Sequence, residues 1–79
     1  MKVTRYSPND DLFVVEIDQA EHYITVNNVT GDASGCEVYF MRPDGITVDS
    51  ENTSRFAYAR MEIARGCIDL YESWENESA

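Results

Sequence analysis

The stretch LFVVEIDQAEHYITVNNV (12–29) decides the fold. Phe13, Val15 and Ile17 alternate with Val14, Glu16 and Asp18, the period-2 pattern of a strand with one buried face. After a short turn near Gln19 and Ala20 the alternation resumes. Ile24 and Val26 belong to the buried face, and Tyr23, Thr25 and Asn27 share the other. Two such runs joined by a tight turn predict an antiparallel hairpin.

Outward from that hairpin, SPNDD (7–11) has turn composition, and KVTRY (2–6) is a candidate short edge strand. TGDASG (30–35) reads as a loop. CEVYFMR (36–42) then buries Cys36, Val38 and Phe40 and exposes Glu37 and Tyr39. RPDG (42–45) is a hairpin signal, because proline presets the first turn position and Asp-Gly tolerates the tight conformations that follow. ITVD (46–49) is expected to return as a strand with Ile46 and Val48 inside.

From about Thr53 the period changes. Phe56, Ala59, Ile63, Gly66, Cys67, Leu70 and Trp74 recur at spacings of three and four, the pattern of one helical face. Asn52 or Thr53 is the expected N-cap. Gly66 costs a helix about 1 kcal/mol relative to alanine, and its place on the apolar stripe implies close approach to the sheet. Trp74 on the same stripe reads as closing the end of the core, in preference to an exposed interface anchor. The expected architecture is α+β: a single domain over 1–79 with strands within 2–49. They form an antiparallel meander of four or five strands, with one C-terminal helix (about 53–74) packed on one face and a short acidic tail (75–79).

The chain has 79 residues, and its charge is lopsided: 15 acids against 6 bases leave a net −9. Five Tyr, three Phe and one Trp argue against disorder, which strong charge with few aromatics favours. Along the chain, residues 1–6 carry +2, 7–54 carry −9, 55–65 carry +2 and 66–79 carry −4. In the helix, Arg55, Arg60 and Arg65 precede Asp69, Glu72, Glu75 and Glu77. That order opposes the macrodipole, at roughly 0.3–1 kcal/mol for each wrong-sign charge in an end turn. On the sheet, Glu16, Asp18, Glu37 and Asp49 are expected to face outward among Thr25, Asn27, Tyr39 and Thr47. Such a grid of carboxylates offers Arg and Lys of a partner what phosphates offer them.

Several chemistries lack their residues. His22 has no cysteine or serine motif beside it and reads as a surface histidine. No Gly-rich phosphate loop occurs, DGITVDSEN (44–52) fails the calcium-loop pattern, and two cysteines are too few for a zinc site or a disulfide framework. Cys36 and Cys67 read as buried free thiols. No catalytic residue, metal ligand or cofactor is predicted. The sign of the charge disfavours direct nucleic-acid binding. MKVTRYSPNDD (1–11) lacks the apolar core of a signal peptide and no run reaches membrane length, so a cytoplasmic location is expected.

In size, charge and sheet-plus-helix layout the chain resembles the small acidic anti-CRISPR proteins of phages, some of which mimic DNA. The resemblance covers the whole chain and rests on no motif. It implies a non-enzymatic inhibitor that binds a CRISPR–Cas surveillance complex, or another basic nucleic-acid-binding protein, and blocks target DNA. In a phage setting the location would be the host cytoplasm. The candidate partner-binding residues are Glu16, Asp18, Glu37, Asp49, Asp69, Glu72, Glu75 and Glu77, with Tyr39 and Trp74 as aromatic contacts at the rim. The alternative is a small protein-interaction or regulatory module, antitoxin-like or a homodimer subunit, that works through a strand edge or the helix.

Overall fold

The alternating stretches form four strands: β1 (Lys2–Ser7), β2 (Leu12–Ile17), β3 (Ala20–Asn27) and β4 (Glu37–Met41). In the computed structural model, which describes residues 1–78 and Ser78 by its backbone alone, they pair antiparallel in the order β1-β2-β3-β4. This is the expected meander, with KVTRY as a true edge strand. The register lines up Tyr6, Phe13, Ile24 and Phe40 across all four strands. Asp18 and Gln19 form the β2–β3 turn, both with positive φ (51° and 69°). A two-residue turn of that kind matches the right-handed twist of the flanking strands.

Two helices follow: α1 (Ser50–Arg55) and α2 (Arg60–Ser78), separated by a 3-10 turn at Ala57–Ala59. The single helix expected over 53–74 therefore starts earlier, is interrupted, and runs further. It starts earlier because Asp49, not Asn52 or Thr53, is the N-cap. The Asp49 carboxylate accepts from the Asn52 backbone N–H at 2.9 Å. It runs further because the acidic stretch expected as a tail continues α2; of that stretch, residue 79 lies outside the described residues. No proline or glycine marks the interruption. Phe56, at that point, is buried against Phe40 and His22, with ring centroids 5.1 and 5.4 Å away.

The core lies between one face of the sheet and the helices. Phe13, Val15, Ile17, Ile24, Val26, Val38 and Phe40 meet Phe56, Ala59, Ile63, Ala64 and Cys67. Gly66 lies against Val3, as its place on the stripe implied. Trp74 is half-buried at the end of the core, in a cluster with Tyr6 and Tyr71 (centroids 5.4 and 5.8 Å from Trp74). Cys36 and Cys67 are free and buried. His22 corrects the surface reading: it faces the core side, half-buried against Phe40 and Phe56.

Residues 46–49 are not a strand. One isolated bridge joins Val48 to Met41, while Ile46 is 82% and Val48 41% exposed. The cause is Asp44, whose carboxylate accepts from the N–H groups of Ile46 (2.8 Å) and Thr47 (2.9 Å) and from the Thr47 hydroxyl (2.7 Å). These bonds hold the segment as a loop and pull the Asp44 carboxyl below its usual pKa.

The loop and α1 close one border of the sheet. Arg42 N–H donates to Thr47 O, Asp49 N–H to Phe40 O, and Phe40 N–H to the Thr53 hydroxyl. Further along, the Arg60 guanidinium donates to the carbonyls of Cys36 (2.7 Å) and Ala33 (3.3 Å). The β4 border is thus covered at Phe40 and at both ends of the strand, whereas β1 is the last strand on its side.

Candidate acidic partner-binding surfaces

Because side chains alternate across a strand, the residues between the core positions face away from the helices. Cross-strand pairing places Glu16 between Lys2 and Glu21, Val14 between Arg5 and Tyr23, and Tyr23 opposite Met41. Tyr39 is opposite Thr25, and Glu37 opposite Asn27. The expected grid of carboxylates is therefore two ends with an apolar middle. Glu21 and Asn27 are six residues apart on β3, so the Glu16–Glu21 end and the Glu37 end stand about 20 Å apart. Between them lie Val14, Tyr23 and Met41, with Val48 continuing the row through its bridge to Met41.

The middle is partly roofed. Pro43, Asp44, Gly45 and Ile46 share with Leu12, Val14 and Tyr23 a hollow of about 530 Å³ that Arg5 and Asp10 also line. Val14 is only 2% exposed although it points away from the core.

Asp49 leaves the outward set, since both its oxygens serve Asn52: Oδ1 takes the backbone N–H and Oδ2 the side-chain amide at 3.2 Å. Asp18 belongs to the β2–β3 turn instead of the strand. Glu37 accepts from the Tyr39 hydroxyl at 3.0 Å, and that bond raises the Tyr39 pKa. Glu16, Asp18 and Glu37 are exposed and Tyr39 is half-buried.

The helix acids form a separate surface, because α2 packs on the opposite face of the sheet from Glu16 and Glu37. Asp69, Glu72, Glu75 and Glu77 are all exposed. The first three advance in steps of three residues, about 4.5 Å each along the axis, and are side-by-side neighbours. Of the helical arginines, Arg60 is tied to the carbonyls of Ala33 and Cys36, and Arg55 stacks over Phe56 at 5.0 Å. Two strand cations do approach the helix acids. Lys2 lines one hollow with Glu62 and Asp69, and Arg5 another with Trp74 and Glu77. Glu72 and Glu75 line neither hollow.

Glu21 and the apolar middle were missed by sequence reasoning. The signal was present: Val14 alternates in phase with Glu16, Tyr23 with Glu21 and Met41 with Glu37, but only the cross-strand register brings them into one row. No group of three or more His, Cys, Asp or Glu among the described residues is placed to hold a metal ion. Among the described residues no helix is long and apolar enough to cross a membrane. No family model, curated protein or solved structure matches the chain.

Proposed function

We propose that this chain is a non-catalytic inhibitor of the anti-CRISPR kind. It uses an acidic surface to occupy the basic, DNA-binding face of a CRISPR–Cas surveillance complex and thereby blocks target DNA. The observation that carries this reading is the C-terminal half of α2, where Asp69, Glu72, Glu75 and Glu77 are exposed with no cation after Arg65. This placement works against the fold. Like charges three residues apart each cost roughly 0.2–0.5 kcal/mol, and acids in the last turn oppose the dipole by roughly 0.3–1 kcal/mol. A partner rich in Arg and Lys supplies a reason for them, since guanidinium and ammonium groups bind carboxylates and phosphates alike.

The helix row is the principal contact in this reading. Glu16, Asp18 and Glu37 are secondary, because they occupy the opposite face and are split by its apolar middle. Binding of this type is fast through electrostatic steering and weakens as salt rises. The test is displacement of labelled target DNA from a purified surveillance complex, with two charge-reversal sets. Changing Asp69, Glu72, Glu75 and Glu77 to Lys abolishes displacement, and changing Glu16, Asp18 and Glu37 to Lys leaves most of it. Displacement that survives both sets, or is absent in the unaltered protein, overturns the proposal.

A second reading is favoured by the apolar row on the outer sheet face, where Tyr23 is 42% exposed beside Met41 and Val48. In it the chain is a regulatory or homodimeric interaction module. Tyr23→Ala and Val48→Ala then weaken association more than either charge-reversal set does.

A further inference from the structure

We infer that the groove between β1 and α2 receives an extended basic segment of the partner protein, which adds to β1 as a fifth strand. The inference rests on the acidic-inhibitor reading and specifies how its partner is held.

The two borders of the sheet differ. On β4 the outer backbone groups of Phe40 are taken by Asp49 and Thr53, and the flanking Arg42 N–H and Cys36 carbonyl by Thr47 and Arg60. β1 pairs with β2 alone, and among the described residues its backbone makes no hydrogen bond on the other side. The one hydrogen bond from a side chain of Lys2–Tyr6 runs inward, from the Thr4 hydroxyl to Val14 O. An uncovered edge of this kind is a template for another strand.

Beside that edge lies a continuous groove. Two hollows of about 440 and 390 Å³ meet at Leu70 and Ser73 and together follow β1 from Lys2 to Tyr6. Its apolar floor includes Val3, Ile63, Leu70 and Trp74; the α2 wall presents Glu62, Asp69 and Glu77, three acids against Lys2 and Arg5 on the β1 side. Six residues of β1 extend about 20 Å, room for a segment of similar length.

Charge selects the occupant. Alternate side chains of an added strand would pass beneath Glu62, Asp69 and Glu77, which favours Arg or Lys there. The other set would continue the outer-face rows begun by Lys2 and Arg5, which favours uncharged or acidic residues. A second copy of this chain fits poorly, because β1 carries Lys2 and Arg5 and no acid, so β1 against β1 adds like charges along the shared edge. The irregular register between Val3 and Arg5 further discourages flat self-pairing.

The probe is a capped peptide of about ten residues alternating Lys and Thr, followed by Trp74 fluorescence and by amide exchange. Its control carries N-methyl groups on the backbone amides of one edge, which keeps the charge and removes strand pairing. We expect slowed exchange at β1 amides and about tenfold weaker binding of the methylated peptide, as loss of several backbone hydrogen bonds implies. Glu62→Gln with Asp69→Asn weakens binding, whereas Asp32→Asn with Glu51→Gln, at exposed carboxylates outside the groove, leaves it nearly unchanged. Equal binding of the two peptides, protection elsewhere than β1, or no binding overturns the added strand. None of these results touches the DNA-displacement assay, which decides the inhibitor reading separately.

Discussion

Gly66 of α2 rests directly on Val3 of β1: a Cβ on Gly66 would lie 2.7 Å from Val3 Cγ2 and 3.3 Å from its Cβ. A helical glycine normally gains about 1 kcal/mol on replacement by alanine. Here the new methyl group must displace a branched side chain with little freedom, and overpacking of that kind costs about 1–3 kcal/mol. Gly66→Ala is therefore expected to be neutral to destabilising by up to about 2 kcal/mol in denaturant unfolding, instead of stabilising. Adding Val3→Ala should recover the helical gain, and a double-mutant cycle reads the coupling directly. Additive single effects contradict the close contact.

Asp49 separates structural from functional acidity. Removing its carboxylate with Asp49→Ala deletes the cap of α1 and should cost about 1 kcal/mol of stability. DNA displacement, corrected for the folded fraction, should not change. A large loss of displacement with unaltered stability would return Asp49 to the contact surface.

Arg60 clamps the β3–β4 connection. With Arg60→Met the carbonyls of Cys36 and Ala33 lose their donor while most of the side-chain stem is kept. We expect about 1–3 kcal/mol of destabilisation, the range for an unmet buried acceptor or a charged hydrogen bond. Amide exchange should accelerate first around residues 32–37. Uniform acceleration over the whole chain contradicts a local clamp.

Cys67 sets an alkaline limit. Burial pushes its thiol up to about 12, and the nearby Cys36 adds to the shift. A thiol whose folded pKa exceeds its unfolded value (about 8.5) leaves stability unaffected below that value. Above it the unfolded chain releases the proton and stability falls, by at most about 1.4 kcal/mol per pH unit. The melting temperature should thus decline from about pH 8.5 upward, less steeply in Cys67→Ala. The native Cys67 thiol should also resist alkylation until the protein unfolds. An identical alkaline slope in the variant argues against this origin.

The sheet was legible because its buried face repeats every second residue, and Phe13, Val15, Ile17, Ile24, Val26, Val38 and Phe40 all obey that period. The helical stripe from Phe56 to Trp74 was legible for the same kind of reason. Residues 46–49 misled because alternation there coexists with stronger local hydrogen bonding. Asp44 folds the loop and Asp49 caps α1, and neither commitment shows in hydrophobicity. The acidic surface was legible as a total but not as a map. Which carboxylates are neighbours depends on register, which separates Glu16 from Glu37, and on the layer, which sends Asp69 and Glu72 to the other side.

The contrast between the two sheet borders has a consequence for self-assembly. A subunit with both flanks available can stack without end, as in fibrils, whereas here Thr47, Asp49 and Thr53 obstruct one flank. Pairing through the remaining flank consumes the one uncovered strand edge of each molecule, so growth by this route terminates at two subunits. Strand-on-strand growth is therefore self-limiting, while the same border remains open to a foreign strand.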